Sequence, residues 1–149
     1  MLRDCDSLFP KHEPLYGNTI TRDLTHGLNQ GFWMAEGVYR FWRREGSPVV
    51  GVTVILCSAA HPNSPSEPIL VVGRMWFSRE PRVADSWLLW QAQRNWEEDR
   101  PLGRIMEYPN HEEGVENVKA IAVPLYHIEK LEDIKKLFMT LGEEFENLS

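Results

Sequence analysis

No stretch of this chain is apolar for the ~18 residues that a membrane-spanning helix needs. No apolar core follows Met-Leu-Arg-Asp-Cys-Asp at the N-terminus, so no signal peptide is expected. Cysteine is scarce. Cys5 and Cys57 are the only two, too few and too far apart for a disulfide framework or a C-x-x-C metal site. A reducing, cytoplasmic setting is the expectation. Lysine is almost missing before Arg104, where Lys11 stands alone, and arginine is missing after it. Three motifs are also missing. No G-x-x-x-x-G-K-[ST] or G-x-G-x-x-G is present to cradle a phosphate, and no G-x-S-x-G to raise a nucleophilic serine. No internal repeat and no low-complexity segment interrupts the chain.

What is present suits one ordinary domain spanning 1–149. The 42% hydrophobic and 26% charged content is that of a globular protein. Net charge is −6 and is unevenly placed. Residues 1–104 carry 12 basic and 12 acidic side chains, whereas residues 105–149 carry 4 and 10. A neutral body with an acidic last third argues against a general nucleic-acid binder, which needs a basic field. It suits a basic protein partner.

The hydrophobic pattern predicts an α+β fold, a mostly antiparallel sheet with helices packed on it, in the order α-β-β-β-α-(β)-β-α. Residues 1–18 read as irregular, broken by Pro10, Pro14 and Gly17. Ile20, Leu24 and Leu28 fall four apart and predict a short first helix to about Asn29. Residues 32–44 are ambiguous. Helical spacing competes with β-branched and aromatic content, which favours a strand from about Gly37. Val49–Cys57 is apolar almost throughout and predicts a strand central to the sheet. Residues 36–57 then form a hairpin, and Ile69–Ser78 completes a three-strand meander after the proline-rich loop 61–68. Pro81 opens a second helix expected to reach Glu98, with Val83, Trp87 and Trp90 on one face. A short strand at 104–108, an acidic loop at 109–116 and a last strand at 118–125 follow. Pro124 marks that strand's end or an edge.

The closing helix is the clearest element. Leu131, Ile134, Phe138, Leu141, Phe145 and Leu148 step by three and four residues and form one apolar stripe. The stripe suits the cover of a sheet, or a coiled-coil seam with a second copy of the chain. Gly142 would end it early.

Chemistry is thinly marked. His12, His26, His61, His111 and His127 show no i+3 or i+4 pairing and no metal-ligand spacing, so no metal and no cofactor is expected. A hydrolase site assembled from His61, His111 or His127 with a distant carboxylate is one alternative function. Arg40, Trp42, Arg43 and Arg44 mix aromatic and basic groups and suggest a second, single-stranded nucleic-acid binding. The main expectation is a small acidic cytoplasmic module that docks a protein partner, of an inhibitor, immunity or chaperone-like kind, rather than an enzyme. The element order resembles that of the small acidic dimeric chaperones of type III secretion, a likeness of topology without a shared motif. On this reading Glu112, Glu113, Glu116, Glu132, Glu143, Glu144 and Glu146 steer a basic partner. Trp33, Trp42 and Trp96 are the candidate aromatic anchors.

Overall fold

The computed structural model describes residues 2–16, 21–26, 33–55, 67–89 and 102–145; at 21–26, 33–37 and 87 it describes backbone alone. Among the described residues, seven antiparallel strands form one sheet. They are β1 (Glu13–Leu15), β2 (Thr21–His26), β3 (Trp33–Arg43), β4 (Val49–Ile55), β5 (Ile69–Phe77), β6 (Met106–Glu112) and β7 (Val115–Pro124). The order across the sheet is β1-β3-β4-β5-β7-β6, and β2 lies beside β1 along the same side of β3. The fold is broadly α+β, with far more sheet than helix.

The apolar run at 49–55 has its physical reason in this order. β4 sits between β3 and β5 and is buried at every position, because both faces of the sheet are covered. One face carries Tyr39, Phe41, Ile55, Val71, Met75 and Ala120, and Leu88 and Leu89 pack on it. Gly51 and Gly73 lie opposite each other there. A Cβ on Gly51 would stand 2.2 Å from the Phe41 ring, and one on Gly73 would stand 2.1 Å from Leu89. The two glycines therefore form a trough that the ring and the leucine fill. The other face carries Trp42, Val50, Val52, Leu70, Val72 and Ile121. It is covered by the closing helix (Leu131–Thr140) and by an N-terminal 3₁₀ helix (Leu2–Leu8).

The closing helix keeps the stripe expected of it. Ile134, Phe138 and Leu141 are fully buried, and Leu131 and Phe145 pack beside them. These residues face the sheet, so a coiled-coil seam would have to use another surface. The helix is shorter than the stripe. Gly142, at φ +97°, ends it in the left-handed conformation that glycine adopts without strain, and Leu148 lies outside the described residues.

Four expectations need correction. Residues 21–26 form a strand, not a helix, pairing from Thr21↔Tyr39 to His26↔Trp33. The fourfold spacing there is short, and an unpaired side of β3 outweighs a weak helical preference. The likeness to the secretion chaperones loses its first helix with this change. The N-terminal segment is ordered: Leu2, Cys5 and Leu8 recur every three residues, the period of a 3₁₀ helix, and Leu2 and Cys5 are buried. Residues 109–112 belong to β6 rather than to a loop. A bulge between Pro109 and Glu112 accommodates Asn110 at φ +51°. The second helix opens as a 3₁₀ helix, Val83–Trp87, and buries Leu88 and Leu89, whereas Val83 is 66% exposed. The expected continuation to Glu98, including Trp90, lies outside the described residues. Among the described residues no helix is long and apolar enough to cross a membrane.

Candidate functional site

The acidic candidates divide by place. Glu112, Glu113 and Glu116 gather at the tip of the β6–β7 hairpin, and all three are exposed. The hairpin closes through Glu113-Gly114, with Gly114 at φ +84°, a backbone conformation that glycine supplies at little cost. Beneath the tip lies Arg79, at the end of β5. Ser78 N–H donates to the Gly114 carbonyl at 3.0 Å. The Arg79 side chain fills the space beside the Gly114 Cα, where a Cβ would lie 2.5 Å from it. Long contacts of 3.4 Å run from its Nε to the Glu113 carbonyl and from Nη2 to Glu112 Oε1.

Arg79 is itself fixed. Its Nη1 and Nη2 donate to the two carboxylate oxygens of Asp85, each at 2.8 Å, a bidentate pair. Asp85 is 1% exposed and also accepts the Arg82 backbone N–H at 2.6 Å. Burial alone would raise the Asp85 pKa, but Arg79 and the Arg82 N–H outweigh it and hold the carboxyl below its ordinary range. Sequence reasoning missed this node. Its one local signal is an aspartate at the third position after Arg82, where a carboxylate can reach back to a helix's first N–H.

The remaining acidic candidates do not join the tip. Glu132 and Glu144 are exposed, at opposite ends of the closing helix. Glu143 is half-buried, with Arg74 Nε 3.0 Å from its Oε2. That contact is ionic only, since neither atom meets hydrogen-bond geometry. Arg74 also donates from Nη1 to the Leu141 carbonyl at 3.0 Å, placing a cation at the helix C-terminus. Glu146 lies outside the described residues.

The aromatic anchors fare differently. Trp42 is 1% exposed and is core rather than surface. Its indole N–H donates to Asp6 at 2.7 Å, which is why a tryptophan can lie so deep. Trp33 lies in β3, where backbone alone is described, and Trp96 lies outside the described residues. Arg40 is buried as well. It donates to both oxygens of Asp6, from Nε at 2.7 Å and Nη2 at 2.9 Å. Arg40 and Trp42 therefore cannot offer a stacking or phosphate-binding surface, which removes half of the expected nucleic-acid set. Arg43 and Arg44 are exposed, and Arg43 pairs with Glu80.

Of the histidines proposed for hydrolysis, His111 and His127 are exposed and stand edge-on to Tyr108 and Tyr126. His61 lies outside the described residues. His12 is the unusual one: neither ring nitrogen has a partner among the described residues. It lines a cleft of about 270 Å³ between the N-terminal segment and the end of the closing helix. No group of three or more His, Cys, Asp or Glu that could hold a metal occurs among the described residues.

The chain matches no family model, no curated protein and no solved structure.

Proposed function

We propose that this protein is a docking module that binds a partner with a basic surface through the tip of its β6–β7 hairpin. One observation carries the reading: Glu112, Glu113 and Glu116 stand exposed around a turn that Arg79, paired with the buried Asp85, holds in place. A charged tip held in advance loses little conformational freedom on binding, and its field accelerates encounter with an oppositely charged surface. Pro109 and the flanking glutamates blunt the outer edge of β6 against strand addition, so the side chains of the tip make the contact. An inhibitor, an immunity protein or a chaperone would use such a surface in this way. A cytoplasmic, reducing setting accords with Cys5, a buried thiol whose pKa burial pushes up to about 12.

The test is charge reversal of the tip, E112K/E113K/E116K, with the partner recovered from the native source. Association is expected to slow about tenfold at low ionic strength and to lose most of its salt dependence. An unchanged association rate and salt slope would overturn the proposal.

A further inference from the structure

The cleft beside His12 lies apart from the acidic tip, and its chemistry is opposite. Its apolar wall is Leu8, Phe9 and Phe145. Phe9 is held by three rings: Trp42 at 5.0 Å, Phe138 at 5.0 Å edge-on and Phe145 at 5.6 Å. The wall is thus an extension of the core: Phe9 is buried beneath it, and Leu8 and Phe145 carry its open surface. Three cations line it, Lys11 among them. Arg44 comes from the β3–β4 turn, and Lys135 projects from the closing helix with its ammonium 5.6 Å from the centre of the Phe145 ring. His12 stands edge-on to Phe9 at 5.2 Å, with both nitrogens lacking a polar partner among the described residues. A buried polar group left in that state costs about 1–3 kcal/mol.

We infer that this cleft binds a small aromatic carboxylate. The ring lies against Leu8 and Phe145, and the carboxylate takes hydrogen bonds from Arg44 and Lys135. His12 backs the cleft with its ring against Phe9, its nitrogens closed to solvent. The volume of about 270 Å³ lies just below the ~300–1,000 Å³ of sites for drug-sized ligands, and so suits one ring with one acid group. The ligand's charge is limited too. Glu144 is exposed beside the cleft and repels a dianion, while the charge of half-buried Glu143 is partly offset by Arg74. Burial and the neighbouring Arg44 both lower the His12 pKa. Both effects favour the neutral imidazole.

Benzoate and benzamide test this, since they share shape and differ in charge. Titrated into the ¹⁵N-labelled full chain, benzoate is expected to move the amides of Leu8, Phe9, Lys135 and Phe145 saturably, with Kd about 1 mM. Benzamide should bind about tenfold more weakly. Arg44→Gln and Lys135→Gln should each weaken benzoate several-fold and leave benzamide unchanged. The inference fails if benzoate gives no saturable shifts there, if benzamide binds equally well, or if neither substitution weakens benzoate.

Discussion

Two arginine–aspartate pairs hold the covers of this sheet, and they are built in opposite ways. Arg40 projects from β3, and Asp6 reaches it from the N-terminal 3₁₀ helix. There the arginine side chain is 4% exposed and the carboxylate 44%. Arg79 and Asp85 link the end of β5 to the 3₁₀ helix on the other face, and there the carboxylate is 1% exposed and the arginine 22%. Each pair is bidentate, so the pairwise attraction is much alike. What differs is which charge is stranded when the pair is broken. A charge left buried without its partner costs far more than one that water can reach. The pairs also hold different things. Asp6 fastens a segment that carries Leu2, Cys5 and Phe9 into the core, whereas Arg79 fastens an exposed tip.

The largest effect is expected from Asp6→Ala. It takes both Asp6 oxygens from the buried Arg40 guanidinium, and it removes the acceptor of the Trp42 indole. The loss should be about 3 kcal/mol, at the lower end of the range for breaking a buried pair because water can reach the vacated side. Urea unfolding measures it. Replacing both partners, Asp6→Leu with Arg40→Met, should recover most of the loss. A loss below about 1 kcal/mol for Asp6→Ala would mean that Arg40 is satisfied without Asp6, and the contrast between the pairs would disappear.

Arg79→Ala should cost less. Asp85 keeps the Arg82 N–H, and Arg79 is itself partly open to solvent. The signature is local: the tip loses the side chain packed beside Gly114. Amide exchange near the tip should therefore speed up more than in the strands. Asp85→Asn should spare the tip more, because Arg79 can still reach Glu112 and the Glu113 carbonyl. If exchange at the tip is unaffected by Arg79→Ala, the hairpin holds its shape without its clamp.

The covers of the sheet differ in how far the sequence reveals them. The closing helix is legible because its apolar residues repeat with the helical period, and β4 is legible because a strand covered on both faces must be apolar throughout. Neither depends on a distant partner. β2 is not legible, since what makes residues 21–26 a strand is the side of β3 that they pair with. The ion pairs are similar. Asp6 and Arg40 are 34 positions apart, and no local pattern marks one as the other's partner. Trp42 follows from the same blindness: near a strand end it reads as a surface anchor until Asp6 is seen to accept its N–H. The acidic tip was legible as charge, while its hairpin geometry was not, because Asn110 and Pro109 read as loop and β6 absorbs them through a bulge.

The smallest effects are in the pH dependence of stability, and here Glu143 opposes the two aspartates. Arg40 and the Trp42 N–H hold Asp6 below its ordinary value near 3.8, although burial works against them. Asp85 is also held low. For both, the unfolded chain binds the proton more readily. Their stabilisation is complete above the unfolded value and is lost as pH falls through the lower folded one. Glu143 is raised above 4.5, by burial first, with Arg74 only partly offsetting it. The folded chain binds that proton more readily. Its contribution is present below the unfolded value and lost as pH rises through the folded one. Unfolding midpoints of wild type, Asp6→Asn, Asp85→Asn and Glu143→Gln across the acid range separate the groups. The two asparagine variants should flatten the loss of stability below about pH 4. Glu143→Gln should leave that limb intact and remove a shallow decline above about pH 4.5. A Glu143→Gln profile parallel to wild type throughout would mean that Arg74 fully offsets the burial of the carboxylate.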